Sequence, residues 1–163
     1  MKRTTKNSRV ILANVETIYQ AFTTPTAIEQ WLAPSNMKGK IHYFDFKIGG
    51  SYFMSLYYPG TEKELRGKTS ENEDRFSATF IGIIPNKKIV QSIKFESSIK
   101  DFMEEMIMEV SFEPLNIGTR VTFFFKDIPI GISIKDNEVG TISTLEKLAQ
   151  YVELINKDKN DTI

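Results

Sequence analysis

Cysteine is absent from all 163 residues, which removes disulfides, thiolate chemistry and cysteine metal sites together and fits a reducing compartment. Histidine occurs once, at His42, so a serine nucleophile would have a single candidate base, and metal sites built on several imidazoles are excluded. Neither sign of charge is in excess. Lys+Arg and Asp+Glu both number 21, and without a basic block nucleic acid is not expected as a partner. No apolar run reaches the roughly 18 residues of a membrane span. The basic start Met1-Lys2-Arg3-Thr4-Thr5-Lys6 leads only to the short apolar stretch Val10 to Ala13, which is no signal-peptide core. A cytoplasmic protein without membrane insertion is therefore expected. Gly49-Gly50 sits in neither a GxxxxGK[ST] nor a GxGxxG pattern, so no phosphate loop, metal or cofactor is anticipated.

What is present suits one globular core, with 40% apolar and 26% charged residues. A single domain over residues 1–163 is expected, its core at 9–155 and its ends, 1–7 and 156–163, flexible. Arg9 to Ala13 reads as a first strand. Asn14 caps a short helix whose stripe is Val15, Ile18, Tyr19 and Phe22, and Pro25 stops it. Thr24 caps a second helix, with Pro25 at its first position and Ala27, Ile28, Trp31 and Leu32 on its apolar side. The period then becomes two. Phe44, Phe46 and Ile48 share a strand face before the two-residue hairpin signal Gly49-Gly50, and Tyr52, Met54, Leu56 and Tyr58 continue on the return strand. Thr61 to Asp74 is polar and reads as a loop. Phe76 to Ile84, Ile89 to Phe95, Met103 to Phe112 and Arg120 to Lys126 are further strands, joined by short turns and hence antiparallel. Last comes a long helix, with Asp136 and Asn137 as cap candidates and Val139, Ile142, Leu145, Leu148, Ala149, Val152 and Ile155 at helical spacing. The fold class is α+β: a curved antiparallel sheet of six to seven strands around a long C-terminal helix.

That element order resembles the START-like, or SRPBCC, superfamily and its helix-grip fold. More narrowly it is similar to the branch of the activator of the heat-shock-protein-90 ATPase. The marks are Ala13-Asn14-Val15-Glu16-Thr17-Ile18-Tyr19-Gln20-Ala21-Phe22, Trp31, Ile48-Gly49-Gly50-Ser51-Tyr52, Gly82-Ile83-Ile84-Pro85 with Ile89-Val90, Gly118-Thr119-Arg120-Val121-Thr122, and Gly140 with Leu145-Glu146-Lys147-Leu148. Two positions depart from it. Thr141 stands where relatives often carry Trp, and Lys47-Ile48 where Arg-Pro often precedes the hairpin glycines. The resemblance implies a cavity between sheet and helix. Its partners would be a small hydrophobic molecule, lipid-like or aromatic, a chaperone, or a second copy of the chain.

The inward set inferred from alternation is Phe44, Phe46, Met54, Phe80, Phe95, Met106, Met108, Phe123 and Phe125, facing Leu145 and Ala149. Its aromatics and methionines adapt to irregular apolar shapes. Trp31 is expected at the cavity mouth. His42 alternates in phase with Phe44 and Phe46 and is expected to point inward as a polar anchor. An enzyme of the polyketide cyclase kind would have to use His42, Tyr43, Tyr52 or Tyr58. Glu105, Glu109 and Glu113 oppose Met106, Met108, Val110 and Phe112 on their strand and read as a solvated face.

Overall fold

A computed structural model of the chain describes residues 2–59 and 73–161, with side chains through residue 158. The order is β1 (Thr5–Ile11), α1 (Val15–Gln20), α2 (Pro25–Trp31), β2 (Lys38–Phe44), β3 (Ser51–Tyr57), β4 (Glu73–Ile84), β5 (Lys88–Phe95), a 3-10 turn at Lys100–Phe102, β6 (Met106–Leu115), β7 (Gly118–Lys126) and α3 (Ile134–Asp161). The strands form one antiparallel sheet in the order β1-β7-β6-β5-β4-β3-β2. Long α3 packs along β1 and against α1 and α2, which is the helix-grip architecture. None of the described helices is long and apolar enough to cross a membrane.

Local chemistry accounts for most boundaries. Asn14 caps α1, its Oδ1 accepting from the Thr17 amide at 2.9 Å. Thr24 holds the cap position of α2, but its side chain makes no cap bond. Ser133, not Asp136 or Asn137, caps α3: its Oγ accepts from the Asp136 amide at 3.0 Å and its carbonyl from the Asn137 amide at 3.1 Å. The helix then runs through Asp161, well into the segment expected to be flexible.

Other boundaries shift because pairing outvotes composition. The first strand starts at Thr5, inside the end expected to be flexible, because Thr5 to Ile11 pair in unbroken register with Phe125 to Thr119. The residues Thr5-Lys6-Asn7-Ser8 have no apolar alternation to announce a strand. At the other end Ala13 follows the strand and turns the chain into α1. Gly49-Gly50 is not a two-residue hairpin. Six residues separate β2 from β3, Gly49 is left-handed (φ 83°), and the pair is bonded across to Phe80 at 2.8 and 2.9 Å. Ile48 is accordingly 65% exposed, not on the core face. Most of the polar loop expected at Thr61 to Asp74 lies outside the described residues, while Glu73 and Asp74 begin β4. β6 starts at Met106, after the turn at Lys100–Phe102, rather than at Met103.

The core is packed against the middle turns of α3, beyond which a hollow of about 200 Å³ lies between α1, α2 and Tyr151, Val152 and Ile155. At the middle turns Leu145, Leu148, Ala149 and Val152 meet Ile11, Ile18, Phe22, Trp31 and Phe123, each 4% exposed or less. Trp31 is clamped: its indole N–H donates to the Ala21 carbonyl at 2.9 Å, and Phe22 sits edge-on with centroids 4.6 Å apart. The Glu face of β6 points outward as expected, with Glu109 near Lys88 and Glu113 paired to Arg120.

Candidate functional site

Under the first half of α3 the interior is open. A cavity of about 240 Å³ lies between that half and the sheet, room for about eight waters at liquid density. Its floor is Phe95, Met106, Met108, Phe123 and Phe125, joined by Phe76 and Ile93. Its roof is Asn137, Gly140, Thr141 and Thr144, which fall at i, i+3, i+4 and i+7 on one face of α3. Half-buried Leu32, Pro34, Met37, Leu56, Tyr58 and Ile132 form the rim.

One side of the rim is fastened to α3. The Ser35 amide donates to Ser143 Oγ at 2.7 Å, the Thr144 hydroxyl donates to the Leu32 carbonyl at 3.0 Å, and Lys147 Nζ donates to the Ala33 and Ser35 carbonyls. Burial lowers the Lys147 pKa, since desolvation disfavours its ammonium. Ser35 is left-handed, at φ 53°.

The cavity wall also carries polar pairs. Tyr58 donates to Asp74 Oδ2 at 2.8 Å, and Asp74 is only 2% exposed. Tyr52 donates to Gln91 Oε1 at 2.8 Å, and full burial pushes its phenol above the ordinary tyrosine value. The Thr141 hydroxyl returns to the Asn137 carbonyl at 2.7 Å.

Of the residues expected at a site, Phe95, Met106, Met108, Phe123, Phe125 and Thr141 line this cavity. Trp31, Met54, Phe80, Leu145 and Ala149 are buried in the filled core beside it. Trp31 thus does not stand at the mouth, because its neighbours enclose it. Phe44 and Phe46 pack with Tyr19, Tyr52 and Phe80 at the far end of the sheet.

His42 does not face inward. A bulge between Ile41 and Tyr43 resets the alternation, so Ile41 and Phe44 pack on the core while His42 is exposed on the outer face. There its Nε2 meets Ser55 Oγ at 2.9 Å, and that hydroxyl gives its proton to Glu73 Oε2 at 2.6 Å. The imidazole therefore donates to Ser55 and is not placed to act as its base. Of the four polar candidates for catalysis only Tyr52 and Tyr58 reach the cavity, each with its proton already given to an acceptor. Among the described residues no group of three or more His, Cys, Asp or Glu could hold a metal.

On the roof the sequence reading reached Thr141 but missed Asn137, Gly140 and Thr144 as lining residues. Val139 and Ile142, taken as core positions, are 56% and 54% exposed, and the inward stripe at that end is made of small and polar residues. Its signal was the continuity of spacing from Asn137, Thr141 and Thr144 into Leu148 and Val152.

A helix-grip sheet with a cavity beneath its long helix defines the chain as a START-like protein. Residues 12–153 match the family model described as Activator of Hsp90 ATPase homolog 1-like protein, and the chain belongs to that family. Nothing among the curated proteins matches it. Among solved structures, a Chromobacterium violaceum protein is similar with a TM-score of 0.82 at 24% identity, over 93% of this chain and 97% of that one. A Staphylococcus epidermidis protein gives 0.73 at 21% identity, over 94% and 92%. An Arthrobacter aurescens protein gives 0.74 at 15% identity, over 93% and 86%. At these identities they establish the fold alone.

Proposed function

We propose that this protein binds a small hydrophobic molecule in the cavity beneath the first turns of α3. The observation that carries the reading is the cavity itself: apolar floor, few polar groups, and a roof of Gly140, Thr141 and Thr144 instead of large side chains. Binding sites are commonly apolar hollows with a few placed polar groups. At about 240 Å³ this one is below the roughly 300 Å³ at which drug-sized pockets begin, so a compact one- or two-ring molecule suits it better than a whole lipid. The test is titration with ethylbenzene, followed by protein NMR, in the native chain and in Thr141→Trp. Shifts at the Met106 and Met108 methyls that vanish in a folded Thr141→Trp protein support the reading. Their absence from the native chain sinks it.

A second reading, assistance to a chaperone ATPase, is favoured by the family description. An Hsp90 ATPase rate unchanged by added protein would reject it.

A further inference from the structure

Asn137 is the one roof residue with a side-chain amide, and its orientation is fixed from outside the cavity. Its Oδ1 accepts the hydroxyl proton of Thr5, which is 5% exposed on β1. Its backbone N–H is spent on the Ser133 carbonyl and its backbone carbonyl receives Thr141. That leaves Nδ2, with two hydrogens and no acceptor among the described residues, on a residue that lines the cavity.

The neighbouring hydroxyls complement it. Thr141 and Thr144 have both given their protons to backbone carbonyls, so each offers the cavity only lone pairs. Donor capacity on the roof is thus concentrated in Asn137. Positive charge is not supplied either, since no Lys or Arg among the described residues lines the cavity, Lys147 is held at the rim by Ala33 and Ser35, and the one carboxylate in the described wall, Asp74, accepts from Tyr58. An anionic ligand would lose its hydration without a cation in return.

We infer that the molecule bound under α3 is uncharged and carries an oxygen acceptor, a ketone, ester or ether, which takes a hydrogen bond from Asn137 Nδ2 while its apolar body rests on Met106, Met108 and Phe125. This rests on the cavity being a binding site and adds the ligand's chemistry. Thr5 is a positioning residue, because it directs the amide oxygen away and the amide hydrogens remain for the ligand.

The experiment compares acetophenone with ethylbenzene, two probes of nearly equal shape that differ in a carbonyl. NMR titrations are run on the native chain, on Asn137→Leu and on Thr5→Val. The preference for acetophenone over ethylbenzene is expected to fall about fivefold in Asn137→Leu, the factor one neutral hydrogen bond supplies. Ethylbenzene affinity should stay within about twofold. In Thr5→Val the preference falls in part while the chain stays folded. An unchanged preference in Asn137→Leu, with both probes bound and Met106 shifted, overturns the acceptor assignment and leaves the cavity reading standing. Binding of neither probe to the native chain overturns both.

Discussion

The phenol of Tyr52 on β3 and the carboxamide of Gln91 on β5 meet across β4 through a 2.8 Å hydrogen bond, with 2% and 3% exposure. Removing one partner strands the other in an apolar wall, so Tyr52→Phe should cost about 1–3 kcal/mol. Tyr52→Phe with Gln91→Leu should recover part of that loss. A double-mutant cycle by urea unfolding measures it, and additive losses would contradict the pairing.

The same tyrosine sets a pH dependence. Its pKa is raised in the folded state above the ordinary value of 10.0, so above that pH the unfolded chain loses the proton first and binds fewer protons than the folded chain. Stability is then fully present below pH 10.0 and falls as the pH rises further. Lys147, lowered from 10.5 by desolvation, acts with the opposite sign: stability gains as pH rises towards its unfolded value. Comparing the native chain with Tyr52→Phe cancels the lysine. The variant should lose stability less steeply above pH 10.0, and parallel profiles would refute the assignment.

Lys147→Met keeps the apolar stem and removes the donors to Ala33 and Ser35. An expected loss of about 1 kcal/mol should come with faster amide exchange at Ser35 and Met37, because this rim segment would then be held to α3 chiefly through Ser143 and Thr144. Exchange unchanged at those amides would mean that Lys147 does not fasten the rim.

Gly118→Ala should be costly for a backbone reason. A Cβ there would lie 2.2 Å from the Ile11 carbonyl oxygen, whereas one at Gly82 meets only Val90, at 3.4 Å. Overpacking costs typically about 1–3 kcal/mol, and Gly118→Ala belongs at or above the top of that range, with Gly82→Ala far milder. Thermal unfolding of the two variants decides it.

His42→Ala should cost about 0.5–1.5 kcal/mol, the worth of its hydrogen bond to buried Ser55, and leave ethylbenzene binding unaltered. A large loss of binding would place the imidazole in a role its outward position does not provide.

How far the sequence could be read follows from which forces are local. Alternation in β6 and β7 located Met106, Met108, Phe123 and Phe125 on the cavity floor because two-residue periodicity is intrinsic to a regular strand. The same rule failed at His42, since one extra residue in β2 leaves His42 and Tyr43 both facing outward between inward Ile41 and Phe44, and nothing in Ile41-His42-Tyr43 announces it. Thr5 to Ser8 became a strand through pairing with β7, a partner more than a hundred residues away. Asp74, Gln91 and Asn137 were missed as wall or core groups because polar residues show their burial only through their partners.

Consider finally the two halves of α3. Leu145, Leu148, Ala149 and Val152 are buried in the core, while Asn137, Gly140, Thr141 and Thr144 line the cavity. Anchorage and cavity lining thereby fall to different turns of a single helix. Substitutions in the leading turns can therefore reshape the hollow while the trailing turns keep the chain folded, so the volume under the helix can vary without the fold being renegotiated.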